Sequence, residues 1–335
     1  MFKDIYEKIK EFDNIIIHRH KRPDGDCIGS QIGLKYIIKE SFPEKNVYST
    51  GKDVPDYLKS MIEIDKVPDE LYKDALVIVV DTATQDRISD DRWKNGKFII
   101  KIDHHDDSPE YADINYIDPT APACAQIIVR MVRELDGLLK LNQKAAKYLY
   151  YGFVTDTGRF MYRGVSSETL ENAGMLLKEN VDIEEIYDSL YIKKIEELKL
   201  EGHLYKNYKL TPNGVIYYHF TKKDLKKFNV SIEDASNMVN KLSGIEGSLI
   251  WVAFIDQTEH LFHHEGITPK QEKNEVRCRI RSRHVQVNDI ATHFRGGGHL
   301  QAAGATVYSK KEMNDILQEL DQRLAEYKKE NPNAR

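Results

Sequence analysis

An apolar run, Phe98-Ile99-Ile100-Lys101-Ile102, ends abruptly in Asp103-His104-His105. A strand of this pattern delivers one carboxylate and two imidazoles to a single spot at its carboxyl end, where open α/β sheets place their ligand crevice. His pairs in loops are common, so the weight comes from repetition. His20, Asp24 and Asp26 follow the apolar run 14–18, Asp81 follows 75–80, and Asp156 follows an apolar helical stretch. Four sequence-distant clusters of this kind converge on a metal-dependent hydrolase.

The same alternation sets the fold class. Short β-branched runs at 14–18, 75–80 and 98–102 alternate with helical spacing at 27–40, 122–135 and 141–154. That pattern predicts an α/β domain with a largely parallel sheet flanked by helices on both faces. From Ser166 the texture changes. Ser166-Ser167-Glu168 reads as a helix start, and a Glu/Lys/Tyr-rich helical connector occupies 181–205. Strand signals at 214–221, 247–256 and 275–283, with helices at 232–242 and 287–294, predict a smaller α/β C-terminal domain. The expected division is a catalytic domain 1–185, a connector 186–206 and a substrate-binding domain 207–330, with the active site in the cleft between domains. The polar tail 328–335 reads as frayed.

Each cluster also has a plainer reading. Asp24 and Asp26 can cap the following helix, although their alternation suits two metals better than one. Asp81 can cap a helix, yet a carboxylate ending a buried strand is unfavourable unless paired or metal-bound. Asp156, in Thr155-Asp156-Thr157-Gly158, is locally a helix end. Taken jointly, the oxygen-rich set with imidazole and no thiolate suits Mn²⁺, Mg²⁺ or Co²⁺ better than structural Zn²⁺. Two such ions about 3.5–4 Å apart clamp a phosphoryl group, and Asp81 is placed to bridge them.

Two further motifs point to anion binding. Gly296-Gly297-Gly298-His299, followed by Gln301-Ala302-Ala303-Gly304, lets backbone amides approach a phosphate, or else forms a glycine-rich turn. Arg277-Cys278-Arg279-Ile280-Arg281-Ser282-Arg283 alternates with the strand period, so its arginines share one face. Such a row reads phosphates bidentately, or blunts an edge strand. His260, His263 and His264 read as a hairpin tip rather than a metal site, and Cys27 as a packed thiol.

Composition narrows the partners. Of 335 residues, 41% are hydrophobic and 31% charged, with a net charge of −5, which argues against tracking long duplex nucleic acid and leaves room for a small nucleotide. Three scattered cysteines support neither a disulfide framework nor a zinc ribbon. The N-terminus carries Asp4 and Glu7 with no apolar core of a signal peptide, and no run approaches a membrane span. The expectation is a cytoplasmic protein with no membrane partner.

His20-Lys-Arg-Pro-Asp24-Gly-Asp26, Asp81, Asp103-His104-His105 and Asp156 resemble the four motifs of the DHH phosphoesterases. The Gly296–His299 segment with Ala302-Ala303-Gly304 resembles the signature of the DHH-associated C-terminal domain. Nearly the whole chain is covered, in order, and within the family the oligoribonuclease and 3′-phosphoadenosine 5′-phosphate (pAp) phosphatase branch is the nearest in form. The resemblance implies two divalent ions, Mn²⁺ foremost, with His20, Asp24 and Asp81 on one and Asp26, Asp81, His104 and Asp156 on the other. It implies His105 at the scissile phosphate and Asp103 orienting the histidines. Arg281, Ser282, Gly296, Gly297, Gly298 and His299 would grip the substrate. The implied substrates are short oligonucleotides, pApA or pAp, and the implied assembly is a homodimer. The alternatives are a family-II-type inorganic pyrophosphatase and a non-catalytic nucleotide sensor.

Overall fold

A computed structural model of the chain describes all residues except 53, 54, 56, 57, 60, 107, 163, 258–273, 333 and 335. The stretch expected as an extended hairpin loop, with His260, His263 and His264, lies outside the described residues apart from its ends, Gln257 and Asn274. The chain divides into two compact units, Met1–Ile192 and Lys193–Arg335.

The first unit is built on five parallel strands, β1 (Asn14–His18), β2 (Asn46–Ser49), β3 (Ala75–Val80), β4 (Phe98–Asp103) and β5 (Ile114–Ile117), in the order β2-β1-β3-β4-β5. Every residue of β3 is buried, because both faces of the sheet are covered. Ile15, Ile17, Leu76, Ile78 and Val80 face α2 (Gly25–Ser41), α3 (Cys124–Glu134) and α4 (Gln143–Asp156). Ile16, Val77 and Val79 face the opposite layer, with Tyr72, Ile88 and Trp93. The remaining helices are α1 (Phe2–Glu11), α5 (Ser167–Leu177) and α6 (Ile183–Tyr191). Ser166 caps α5 in a capping box, as its sequence signature predicts.

Strand order reverses direction between β1 and β3, which creates a topological switch point at their carboxyl ends. Glycines fix how closely α2 and α4 cross above that point. A Cβ on Gly29 would stand 2.5 Å from the Tyr148 carbonyl oxygen, and one on Gly152 would stand 2.8 Å from Asp26 Oδ1. Only glycine permits that approach, and it brings the first turn of α2 beside the last turn of α4.

The second unit holds a six-stranded mixed sheet in the order β10-β11-β9-β8-β7-β6. Its strands are β6 (Lys209–Leu210), β7 (Ile216–Phe220), β8 (Ile250–Asp256), β9 (Val276–Ser282), β10 (Gly297–His299) and β11 (Ala302–Val307). On one face, Trp251, Ala253 and Ile255 pack against α7 (Ile195–Asn207), α8 (Lys222–Phe228) and α9 (Ile232–Asn237). On the other, Val252, Phe254, Cys278 and Ile280 pack against the helices Asn288–His293 and Lys310–Glu330.

Three expectations change. The helix predicted over 232–242 stops at Asn237 and continues as a 3₁₀ segment, Met238–Gly244. The glycine-rich segment is not a loop: it pairs as β10 against β11, with Gly297 opposite Gly304 and Gly298 opposite Ala303. The tail read as frayed is helical as far as Glu330. Among the described residues no helix is long and apolar enough to cross a membrane.

Candidate metal centre

The ends of β1, β3 and β4 and the facing ends of α2 and α4 bring His20, Asp24, Asp26, Asp81, His104 and Asp156 together. Asp81 follows β3 in the left-handed region (φ 49°), a strained conformation for a residue with a side chain, and its N–H donates to the Ile102 carbonyl at 2.9 Å. It caps no helix, since the 3₁₀ turn that follows begins after Thr84. Asp24 is the N-cap of α2, accepting the Cys27 N–H at 3.0 Å. Asp26 is fully buried and accepts the Cys124 N–H at 2.5 Å and the Ala125 N–H at 3.0 Å, the first amides of α3. Asp156 is the last residue of α4, so the helix-end reading also holds locally.

The two imidazoles are oriented alike. His20 Nδ1 lies 2.8 Å from the Lys21 carbonyl oxygen, and His104 Nδ1 lies 3.2 Å from that of Ala121. A carbonyl only accepts, so each Nδ1 carries the hydrogen and each Nε2 is turned toward carboxylates. His20 Nε2 is 3.4 Å from Asp81 Oδ2 and 3.9 Å from Asp24 Oδ1. His104 Nε2 is 3.3 Å from Asp81 Oδ1, 3.5 Å from Asp156 and 3.8 Å from Asp26.

These spacings test whether a cation fits. Charge-assisted hydrogen bonds run about 2.7–2.9 Å, so every contact is too long for one. Two ligand atoms each bound at about 2.0–2.2 Å to one ion stand roughly 3–4 Å apart, which these pairs do. Asp81 Oδ1 is buried and accepts no hydrogen bond among the described residues. Asp81 directs one oxygen to His20 and the other to His104. The residues fit divalent cation binding.

Charge in the cluster is strongly perturbed. Burial disfavours a charged His104, but Asp81, Asp26 and Asp156 outweigh it and push the ring up to about 11. Burial likewise opposes charge on His20, yet the Cys27 sulfur and Asp81 raise it to about 12. Burial, then the neighbouring Asp81, lifts Asp26 to about 7, and burial with three nearby carboxylates lifts Asp156 well above the ordinary range. Burial also works to raise Asp81, but the adjacent His104 and His20 rings hold it below the usual carboxylate range. Such a knot of buried carboxylates demands positive charge among them.

His105 is held differently. Its Nδ1 donates to Asp103 Oδ1 at 2.8 Å and lies 3.9 Å from Asp81. The hydrogen bond to Asp103, opposed by burial, raises its pKa. Asp103 is fully buried and takes the Ser108 hydroxyl on its other oxygen, with Lys101 Nζ 3.6 Å away. This leaves His105 Nε2 without a partner among the described residues. Sequence reasoning missed Lys101 and Ser108. A lone lysine inside the apolar run 98–102 was the available signal. It also read Cys27 as packed: the thiol is buried, pushed up to about 11 by burial, and stands with His20 and Asp81 within 4.8 Å of one another.

Of the remaining predicted residues, all in the second unit, Arg281, Gly297 and His299 share one face of its sheet. Arg281 and His299 are both cross-strand partners of Ala302, and Arg279 and Gly297 are both partners of Gly304. Cross-strand partners share a face, so two arginines and a histidine surround a floor of Ala302, Gly304 and Gly297. A Cβ on Gly297 would meet nothing within 4 Å, so the floor is open there, whereas the Arg277 guanidinium lies over Gly304, 2.8 Å from where its Cβ would stand. Gly296 serves packing instead, since its Cβ would stand 2.1 Å from the Gly304 carbonyl oxygen. Ser282 is buried and its hydroxyl donates to the Val285 carbonyl. Arg283 leaves the row and donates to the Ser243 carbonyl at 2.7 Å.

Sheet, switch point and His/Asp cluster define a metal-dependent phosphoesterase. The chain belongs to the DHH family: residues 14–153 match the DHH family N-terminal domain and residues 213–326 match the DHHA1 domain. It is 39% identical over 319 residues to the probable bifunctional oligoribonuclease and PAP phosphatase NrnA of Streptococcus mutans, covering 95% of this chain and 97% of that protein. Against the bifunctional oligoribonuclease and PAP phosphatase NrnA of Bacillus subtilis the identity is 37%, covering 96% and 98%. An exopolyphosphatase-related protein from Bacteroides fragilis shares the fold, with a TM-score of 0.82 at 24% identity over 98% of this chain and 96% of that one.

Proposed function

We propose that this chain hydrolyses di- and short oligonucleotides to 5′-mononucleotides and removes the 3′-phosphate of pAp, using two divalent cations with Mn²⁺ as the preferred ion. The observation that carries this reading is end-to-end similarity to proteins named for both activities, at 37–39% identity. One cation would be held by His20, Asp24 and Asp81, the other by Asp26, Asp81, His104 and Asp156. Bound there, the ions would activate water and stabilise charge on the phosphoryl and leaving oxygens.

The chain's own groups supply the rest. Asp103 locks His105 through Nδ1, so Nε2 faces outward as a proton donor or charge stabiliser for the departing oxygen. Arg279, Arg281 and His299 offer donors to phosphate, while the open floor at Gly297 admits a flat base. A platform of that extent suits one or two nucleotides better than a long strand, in keeping with a net charge of −5. The reading extends to a cytoplasmic homodimer, which light scattering checks for the assembly.

The test is Mn²⁺-dependent turnover of pApA, a five-nucleotide RNA, a long RNA, pAp and pyrophosphate. Fast release of mononucleotide from the short substrates and of phosphate from pAp, with weak action on long RNA, is the expected result. A preference for pyrophosphate would overturn the substrate assignment.

A further inference from the structure

The second unit contains a cavity of about 690 Å³ that the proposed chemistry does not use. It lies between the ends of β7 and β8, the start of β9 and the first turns of the C-terminal helix. Tyr217 and His219 are cross-strand partners of Val252 and Phe254, which pack toward that helix. Arg279 and Arg281 pair instead with Ala253 and Trp251, on the other face. Cavity and arginine platform therefore occupy opposite faces of one sheet.

We propose that this cavity is a second ligand site and that it binds a nucleoside monophosphate. Its volume falls within the roughly 300–1,000 Å³ of small-molecule sites. Lys209, Lys222 and Lys310 line it, and Lys209 and Lys310 have no ion-pair partner among the described residues. The carboxylates in the wall are Asp256 and Glu275. Asp256 is already engaged at both oxygens, by His219 Nε2 at 2.6 Å and by the Lys222 N–H at 2.9 Å. Among the described lining residues three lysines stand against two carboxylates, an excess of one positive charge, and the 21-residue helix that begins at Lys310 adds its amino-terminal dipole.

The rest of the wall explains why the ligand is more than a bare anion. Val276, Met313 and Leu317 give it apolar surface, and Tyr217 and Tyr308 add aromatic rings. A purine stacks on the Tyr217 ring while its phosphate meets the ammonium groups. His219, whose Nε2–H donates to Asp256, keeps Nδ1 without a partner among the described residues as an acceptor for a ribose hydroxyl. Only the coincidence of this ligand with the reaction's product rests on the proposed activity.

The test is the binding stoichiometry of AMP on the full chain by equilibrium dialysis, with adenosine and inorganic phosphate as parallel probes. Lys209 and Lys310 are exposed, so Lys209→Glu with Lys310→Glu should leave the fold intact, as circular dichroism would show. The native protein is expected to bind one AMP per chain more than the variant does, or the variant's second site to weaken by at least about tenfold. Turnover of a short substrate without added AMP should stay unchanged. Equal AMP stoichiometry and affinity in the two proteins would overturn the proposal, as would inorganic phosphate filling the second site as tightly as AMP. Because binding is read without turnover, absence of nuclease activity would count against the proposed function and leave this site standing.

Discussion

Lys101 and Asp103, both fully buried in β4, stand 3.6 Å apart in the strand that ends at the His/Asp cluster. Lys101 Nζ also donates to the carbonyls of Ala83 and Pro109, each at 2.9 Å, and so ties the loop after β3 to the loop after β4. Burial lowers the Lys101 pKa against the pull of Asp103. Removing one partner of a buried pair costs about 3–5 kcal/mol, because the other charge is stranded. Lys101→Met should therefore destabilise the protein by roughly that amount and lower kcat more than it raises KM, since Asp103 no longer holds His105. Denaturant melts and steady-state kinetics check this. Adding Asp103→Asn should cost less than the sum of the two single changes, and strict additivity would show that the pair is not coupled.

The crossing of α2 and α4 gives a second prediction. A methyl on Gly152 would stand 2.8 Å from Asp26 Oδ1 and 3.0 Å from Ala125 Cβ. Gly152→Ala should push α4 away from α2, separate Asp26 from Asp156 and weaken Mn²⁺ binding in a calorimetric titration. Overpacking should also destabilise by about 1–3 kcal/mol. Gly174 in α5 is the control: its Cβ would meet nothing within 4 Å, so Gly174→Ala should stabilise by up to about 1 kcal/mol. Unchanged Mn²⁺ affinity in Gly152→Ala would show that the crossing does not set the site.

Much of this arrangement is readable from the chain, for a definite reason. Apolar runs that stop at His18, Val80 and Ile102 mark strand ends, and a ligand crevice belongs at strand ends, so the acidic and imidazole clusters could be placed before any coordinates. What escaped was information that no local pattern carries. Gly25, Gly29 and Gly33 repeat at one-turn spacing along α2, yet they read as weak helix formers until α4 is seen lying against them. Lys101 interrupts an apolar strand, but Ala83 and Ser108, which receive its hydrogen bonds, come from two other segments. Gly297 and Gly298 have no side chains to alternate, so a strand looked like a loop.

Acid stability should report on the other side of β1. Asp90 Oδ2 lies 2.7 Å from Arg92 Nη2 and also accepts the Thr50 hydroxyl at 3.1 Å. Burial opposes its ionisation, but Arg92 prevails and holds the carboxyl at about 2, below the ordinary value of 3.8. The native state then binds fewer protons than the unfolded chain between those two values, so the contribution is full above about pH 4 and fades as pH falls toward about 2. Asp90→Asn should be less stable than the native chain near neutrality, and the gap should close across that window. Urea melts through a pH series measure it. A gap that stays constant with pH would mean that the ion pair is not its source.

The platform of the second unit offers a probe that separates binding from folding. Gly297 sits on the same sheet row as Arg279, a Cβ there would meet nothing within 4 Å, and its φ lies outside the left-handed region. Gly297→Ala should leave the melting temperature unchanged, yet it sets a methyl on the floor where a base would lie. KM for a dinucleotide should rise while kcat and Mn²⁺ affinity stay put. Arg281→Met removes a forked donor from the same face and should raise KM by about 10- to 100-fold, the worth of one charge-assisted contact. Arg281→Lys should recover only part of that loss, because an ammonium cannot reproduce the planar fork. If Gly297→Ala and Arg281→Met both left KM untouched in stable proteins, the substrate would have to lie elsewhere, and the arginine row would revert to a solvated sheet face.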